Sequence, residues 1–185
     1  KVPVNFEKDR LGEKILKTFN LKPKKKKNND WQKLVRAIVA EKEDVKIGIV
    51  GKYFKSGNFT LMDSYISVIE AIKHASWANR RKPVIQWLDS EKYIENEENL
   101  KELKEYDGII VPGGFGGRGV EGKIKAIQYC RVQKIPFLGL CFGMQLATVE
   151  FARHVCGMKD AITTEIDPKT THPIIDVMAE QKENI

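Results

Sequence analysis

The sequence is poor in cysteine and histidine and has no long apolar segment. No stretch has the length and hydropathy of a membrane span, and none has the pattern of a secretory signal. Three cysteines occur in 185 residues, and Cys130, Cys141 and Cys156 have no metal-ligand spacing and cannot all pair. We expect Cys130 and Cys156 to be small buried residues. The sequence therefore predicts reduced thiols, a cytoplasmic location, no metal site and no membrane contact.

An excess of charge is confined to the first part of the chain. The formal net charge is +7, yet residues 1–45 hold 13 Lys and Arg against 7 Asp and Glu, while residues 46–185 hold 19 against 18. A nucleic-acid-binding domain normally has a basic face, and the nearly neutral part of this chain offers none. We therefore expect no nucleic-acid partner. The length suffices for one domain with a hydrophobic core and a short appendage.

The appendage is predicted at the amino-terminal end. Apolar residues recur at helical spacing in residues 1–20. Residues 23–30 are polar and lysine-rich, which predicts a linker, and Asp30 is placed to cap a helix from Trp31 to about Ala40.

Strand-like and helical segments alternate strictly after residue 45. The predicted strands are 45–50, 83–88, 107–112 and the run that ends at Cys141, and the predicted helices are 61–72, 91–104, 120–133 and the segment after Cys141. In the last helix the spacing predicts a buried stripe of Met144, Ala147, Phe151 and Val155. Such alternation predicts a doubly wound α/β domain with a parallel sheet covered on both faces. Sites in these sheets lie at the carboxyl ends of the strands.

The segment Gly139-Leu140-Cys141-Phe142-Gly143 joins the fourth predicted strand to the helix after it. Glycines on both sides of a nucleophile let a strand turn sharply into a helix without Cβ clashes. Such an elbow exposes the sulfur above the sheet edge, where the start of the helix supplies positive potential that favours the thiolate. The pattern thus favours a nucleophile over the alternative, a buried cysteine in a core strand.

A glycine-rich segment, 113–119, follows the third predicted strand. Its Gly114-x-Gly116-x-x-Gly119 formally matches a dinucleotide-binding fingerprint. That interpretation is disfavoured because the loop follows the third strand and because no acidic residue lies about twenty positions further on, where Gly139 stands. Acyl transfer needs two backbone N–H donors for the oxyanion of its tetrahedral intermediate, and Gly114 and Phe142 fit those positions. A glycine-rich turn without a ligand is the alternative.

Several segments match one family together. They are Pro112-Gly113-Gly114-Phe115-Gly116, Arg118-Gly119-Val120-Glu121-Gly122, Gly139-Leu140-Cys141-Phe142-Gly143-Met144-Gln145, Gly51-Lys52-Tyr53, residues 63–71 and Ala161-Ile162-Thr163-Thr164-Glu165. With them, residues 46–178 resemble the glutamine amidotransferase (class I) domain of the CTP synthase family, although Ile162 and Thr163 stand where that family has Asn and Ser. Residues 1–20 resemble the end of the family's synthetase domain.

The resemblance implies a flavodoxin-like fold and a glutaminase that supplies ammonia for the ATP-dependent amination of UTP to CTP. It implies that Cys141 is the nucleophile and that Gly114 and Phe142 form the oxyanion hole. The residues that it assigns to glutamine binding are Gly114, Phe142, Gly143, Met144, Gln145 and Glu165, with the Glu165 carboxylate suited to the α-ammonium group. The residues that it places where the family senses the activator GTP are Arg118, Gly119 and Glu121.

The resemblance also divides the chain. Residues 1–22 are expected to be the tail of a preceding synthetase domain, 23–44 a basic linker and helix, and 45–185 the amino-terminal part of the amidotransferase domain, with a fold incomplete at the carboxyl terminus. The expected partners are L-glutamine, the synthetase domain of the same chain and the other subunits of a homotetramer. ATP and Mg would belong to the synthetase domain, and no cofactor is expected in this one.

The family's catalytic His-Pro-Glu segment has no match here. His172 is followed by Pro173 but lies in a segment that resembles an upstream stretch of the family. Because the thiol needs a base to take its proton and return it to ammonia, we expect these residues alone to be almost inactive.

Three other interpretations stay open. One is a different class I amidotransferase, such as GMP synthase. Another is the peptidase and chaperone-like family with a cysteine elbow, where a histidine commonly follows the nucleophile, whereas Phe142 stands here. The third is a non-catalytic nucleotide-binding α/β module that uses the loop 114–119 as a phosphate cradle.

Overall fold

A parallel sheet forms the centre of the molecule. The computed structural model describes residues 2–23, 29–40, 42–51, 65–114, 116–178 and 180. The strands are β1 (Asp44–Gly51), β2 (Lys82–Asp89), β3 (Gly108–Val111) and β4 (Phe137–Gly139), hydrogen-bonded in the order β2-β1-β3-β4. Every pairing among them is parallel. This arrangement confirms the predicted doubly wound α/β sheet.

Helices cover the sheet and extend the chain at its amino-terminal end. They are α1 (Val2–Lys8), α2 (Leu11–Thr18), α3 (Asn29–Val39), α4 (Ile66–Ala78), α5 (Lys92–Glu95), a 3₁₀ helix (Glu97–Glu105), α6 (Val120–Gln133) and α7 (Phe142–His154). After α7, two short strands, β5 (Ile162–Thr163) and β6 (Pro173–Ile175), form a separate parallel pair. None of the helices in the described ranges is both long enough and apolar enough to cross a membrane.

The core lies on both faces of the sheet, as its near-continuous apolar strands require. On one face, residues of the strands such as Val50 and Ile109 pack with Ile124 of α6 and Leu146 of α7. On the other face, Ile49 packs with α4. Burial on both faces fixes the strands rigidly beneath the loops that follow them.

The register of β3 and β4 brings two predicted site segments together. Val111, the last residue of β3, is paired with Gly139, the last residue of β4. Because the strands are parallel, the glycine loop after β3 and Cys141 after β4 emerge side by side at the carboxyl edge. The sheet therefore places the two segments that carry the predicted chemistry next to each other.

The predicted helix over 91–104 is wrong as a single element. Asn96 has extended backbone angles, φ −148° and ψ 116°, and separates α5 from the 3₁₀ helix. Its side chain accepts a hydrogen bond from the Glu98 N–H and so caps the second segment. The break turns Tyr93, Leu100 and Leu103 inward, where all three are buried.

The predicted buried stripe of α7 is also wrong. Met144, Phe151 and Val155 are 55%, 50% and 49% exposed, and Ala147 is only partly buried. The core face of α7 is instead formed by Phe142, Gly143, Leu146, Val149 and Ala152. The helix has apolar residues on more than one face, so helical spacing alone cannot select the face that meets the sheet.

The prediction of helix in residues 1–20 is confirmed, although the segment forms two helices, α1 and α2. Arg10, at φ 53°, separates α1 from α2. Helix α3 begins at Asn29, so Asp30 lies in its first turn, where it pairs with Lys33, and does not cap it. The lysine run 24–27 lies outside the described residues, and so do residues 52–53 and 61–64. The described part of the helix predicted over 61–72 is helical from Ile66.

Candidate active site

Cys141 lies at a strained turn between β4 and α7. Its backbone angles are φ 51° and ψ −114°, in a region that residues with a Cβ rarely adopt. The helix begins at the next residue, Phe142, and the side chain of Cys141 is exposed. Strain of this kind is typical of the nucleophile elbow, in which the turn presents the reactive atom above the sheet edge.

The glycines on either side of Cys141 allow α7 to approach the sheet. A Cβ on Gly143 would stand 1.9 Å from the backbone oxygen of Val111 in β3. A Cβ on Gly139 would stand 2.7 Å from the Gly143 oxygen and the Met144 nitrogen. Because these are backbone atoms on rigid elements, no side chain larger than hydrogen fits without moving the helix.

The glycine loop packs directly against the thiol. A Cβ on Gly113 would lie 3.3 Å from Cys141 Cβ and 3.7 Å from its Sγ. The Leu140 N–H donates to the Val111 oxygen at 2.9 Å and holds the two segments together. Across the described residues, no protein acceptor takes the backbone N–H of Gly114 or of Phe142. The two predicted oxyanion donors thus lie on the two segments that enclose the sulfur.

Glu165 reaches the same loop from the segment after β5. Its Oε1 accepts a hydrogen bond from the Gly116 N–H at 3.5 Å, and Ile166 lies against Gly117. A carboxylate at this N–H disfavours a phosphate there, because both groups are anionic. The contact therefore argues against the phosphate-cradle interpretation.

Gln145 has an unusual buried atom. Its Oε1 is buried and has no hydrogen-bond partner within the part of the chain that the structure describes. A buried amide oxygen without a donor costs about 1–3 kcal/mol, so an external donor is the natural partner. Gly143 and Met144, the neighbouring predicted glutamine contacts, lie in the same first turn of α7, with Gly143 buried and Met144 exposed.

Two of the three residues predicted to sense GTP, Arg118 and Glu121, are engaged in ion pairs. Arg118 pairs with Glu91, with Nη2 2.8 Å from Oε2. Glu121 accepts two hydrogen bonds from Arg153 Nη1, each at 3.0 Å. Gly119 has φ 73° and immediately precedes α6. Arg118 and Gly119 lie at the end of the glycine loop, and Glu121 lies in the first turn of α6. Phe115 of that loop lies outside the described residues.

The three histidines have their contacts away from Cys141. The His74 ring lies 5.7 Å from the Trp77 ring, and His154 Nδ1 lies 3.1 Å from the Glu150 backbone oxygen. His172 Nδ1 lies 2.6 Å from Asp160 Oδ1. A hydrogen bond from Thr171, with His172 alongside, holds the pKa of the Asp160 carboxyl below its usual range. None of these contacts of the three histidines involves Cys141.

The other two cysteines differ from each other. Cys130 is fully buried, and burial raises the pKa of its thiol to about 12. Cys156 is exposed, so the prediction that it is buried is wrong, because the chain leaves α7 at this point and turns away from the core. All three cysteines are free thiols.

Lys123 is a buried residue that the sequence interpretation missed. It is 1% exposed, and its Nζ lies 3.7 Å from the position of a Cβ on Gly114 and 5.6 Å from the centroid of the Phe142 ring. The signal was present in the spacing, because residue 123 shares the inward helical face of Val120, Ile124 and Ile127. Within the described ranges, no group of three or more His, Cys, Asp or Glu could hold a metal ion.

The comparisons with known proteins agree with this geometry. Residues 60–183 match the family model for glutamine amidotransferase class-I. The chain is 50% identical over 181 residues to a CTP synthase of Pyrococcus furiosus, covering 98% of the chain and 32% of that relative. It is 46% identical over 182 residues to a CTP synthase of Listeria monocytogenes, covering 98% of the chain and 33% of that relative. The chain therefore spans about one third of the length of these curated relatives.

A solved structure is similar as well. The glutaminase domain of Trypanosoma brucei CTPS with bound acivicin superimposes with a TM-score of 0.68 at 38% identity, covering 75% of this chain and 52% of that one. Fold, elbow and family model thus agree. This chain belongs to the class-I glutamine amidotransferase family.

Proposed function

We propose that Cys141 takes the glutaminyl group of L-glutamine and that the released ammonia serves the ATP-dependent amination of UTP to CTP. The observation that carries this proposal is the strained elbow at Cys141, with the glycine loop packed against its sulfur. The similarity to CTP synthases, 46–50% over nearly the whole chain, supports CTP as the product.

The chemistry follows from this geometry. The thiolate attacks the side-chain carbonyl carbon of glutamine, and the negative charge that develops on the oxygen is accepted by the N–H groups of Gly114 and Phe142. Collapse of the tetrahedral intermediate breaks the C–N bond, and the departing nitrogen leaves as ammonia with the proton that a general base took from the Cys141 thiol. Water then hydrolyses the thioester to glutamate and restores the thiol.

Glutamine binding uses the residues around the thiol. Gln145 Oε1, which has no hydrogen-bond partner among the described residues, offers an acceptor to a ligand N–H, and the Glu165 carboxylate pairs with the α-ammonium group. Glu165 is exposed and now accepts one weak hydrogen bond from Gly116, so it is available to a cation. Gly143 and Met144 complete the wall at the start of α7.

The remaining parts of the proposal concern the larger assembly. Residues 1–22 belong to the tail of a synthetase domain, 23–44 to a basic linker and helix, and 45–185 to the amidotransferase domain. ATP and Mg act in the synthetase domain, the enzyme is a homotetramer in the cytoplasm, and no cofactor acts in the amidotransferase domain. GTP acts near Arg118, Gly119 and Glu121, where it would replace the ion pairs of Arg118 and Glu121.

The test compares two variants of the complete gene product, each with one cysteine replaced by alanine. Both are supplied with UTP, ATP and either glutamine or ammonium. Cys141→Ala should abolish CTP formation from glutamine and spare formation from ammonium. Cys156→Ala, which removes the other exposed thiol, should leave both unchanged. Glutamine-dependent CTP formation by Cys141→Ala would refute the proposal, and so would loss of both activities in a folded Cys141→Ala protein.

A further inference from the structure

A lysine is buried directly behind the proposed oxyanion site. Lys123 lies on the inward face of α6, and it is 1% exposed. An ammonium group in such surroundings is strongly unfavourable unless other groups compensate for its lost hydration. An apolar side chain of similar length would fill the same space without that cost, so packing alone does not account for a lysine here.

The ammonium group lies near both segments that carry the proposed oxyanion donors. Lys123 Nζ lies 3.7 Å from the place of a Cβ on Gly114 and 5.6 Å from the centroid of the Phe142 ring. The second distance is within the range of a cation–π interaction. One charge thus lies against the glycine loop on one side and against the first residue of α7 on the other.

The position of this charge is fixed by a rigid element. Lys123 lies in the first turns of α6, and its own N–H donates to the Gly119 oxygen at 3.1 Å. A preorganised charge needs no rearrangement when the reaction occurs, and in a dry site it acts more strongly than it would in water. The Lys123 ammonium group would therefore attract an oxyanion held by the N–H groups of Gly114 and Phe142.

We propose that Lys123 is a positioning residue of the oxyanion hole, holding the Gly114 loop and the Phe142 ring in register and adding positive potential where the tetrahedral intermediate develops its charge. This inference rests on the proposed glutaminase function. The oxyanion exists only after attack on the carbonyl. The ammonium group therefore stabilises the transition state more than it stabilises the complex with bound glutamine. Its removal should therefore lower kcat and leave KM nearly unchanged.

The experiment uses the complete gene product and the variants Lys123→Met and Lys123→Gln, both neutral and both of comparable length. The kcat of glutamine-dependent CTP formation should fall on the order of 10- to 100-fold in each, less than or similar to the loss of one oxyanion donor. The KM for glutamine should stay within about twofold, and the rate with ammonium should not change.

Lys125→Met is the matched control. Lys125 lies two residues further along α6 and pairs with Glu97 at the surface, 2.8 Å between Nζ and Oε1. The same chemical change there should leave the ratio of the glutamine-dependent to the ammonium-dependent rate within about twofold, because a charge paired with an exposed carboxylate at the surface is screened. Lys123→Arg, which keeps the charge, should retain more of kcat than either neutral variant.

Each outcome decides the inference. An unchanged kcat in Lys123→Met or Lys123→Gln overturns it, and so does a rise in KM that accounts for the loss. If both neutral variants lose saturable glutamine binding, Lys123 supports ground-state binding rather than the transition state, and the inference is again overturned. Failure of the proposed function itself would appear separately, as glutamine-dependent activity that persists in Cys141→Ala.

Discussion

The contact between Gly143 and β3 makes a prediction about the elbow. In Gly143→Ala the new Cβ would lie 1.9 Å from the Val111 oxygen, well inside the distance of an ordinary contact. Alanine at a helical position gains about 1 kcal/mol over glycine in intrinsic propensity. Relief of the clash requires α7 to move away from the sheet, and overpacking of a rigid core costs about 1–3 kcal/mol or more. We expect a net loss of about 2 kcal/mol in the free energy of unfolding, since the contacts of Phe142 and Leu146 loosen as well.

Gly108→Ala is the matched control for this prediction. Gly108 is also buried in the sheet, but a Cβ there would lie 3.6 Å from Ile47 Cδ1 and 3.7 Å from the Pro136 oxygen, which are ordinary contacts. We expect a change within about 0.5 kcal/mol, because alanine also restricts the unfolded chain. Urea unfolding gives both values, and the alkylation rate of Cys141 reports the elbow. If Gly143→Ala lost no more stability than Gly108→Ala, the close approach of α7 to β3 would be refuted.

Four further predictions concern Cys130, the Arg131–Glu150 pair and Glu165. At pH 8, iodoacetamide should modify Cys141 and spare Cys130, because a thiol with a pKa near 12 is thiolate in only about 1 molecule in 10⁴; modification of Cys130 in the folded protein would contradict this. Since the unfolded chain loses the Cys130 proton first, the raised pKa contributes stability that is complete below about pH 9 and is lost as the pH rises towards 12. Arg131→Met should lower the free energy of unfolding in urea by about 2–3 kcal/mol, because it leaves the buried Glu150 carboxylate without its bidentate partner. A second change, Glu150→Leu, should restore most of that loss. Unchanged stability of Arg131→Met would show that the pair is not coupled. Glu165→Gln in the complete gene product should raise the KM for glutamine at least about tenfold with kcat little changed, and the reverse pattern would exclude charge pairing with the α-ammonium group.

The order of strands and helices could be predicted because it depends on short-range patterns. The buried strands are apolar runs, and α6 was predicted with the same bounds, Val120–Gln133, that the structure has. The break at Asn96 was missed because a local side-chain cap competes with helix continuation, and charged residues on both sides still fit a helical pattern. Local competition of this kind leaves little trace in periodicity.

The rotation of α7 could not be predicted from its composition. Leu146 and Met144 are both apolar, yet only Leu146 is buried. The face is selected by the contact of Gly143 with Val111, which is a tertiary constraint on the helix and is not encoded in the spacing of its own residues. The proximity of Cys141 to the glycine loop could be predicted from sequence, since both follow parallel strands whose carboxyl ends meet at one edge of the sheet. The burial of Lys123 depends on the packing of α6 against that loop and became visible only in the structure.

The most direct test of the account is to trap the acyl intermediate. The complete gene product is mixed with glutamine, quenched in acid within the time of a few turnovers, digested and examined by mass spectrometry. A glutamyl thioester should occur on the peptide that carries Cys141 and disappear after treatment with hydroxylamine. A glutamyl adduct on Cys130 or Cys156, or steady release of ammonia from glutamine by an enzyme whose Cys141 is never acylated, would contradict the assignment of the nucleophile.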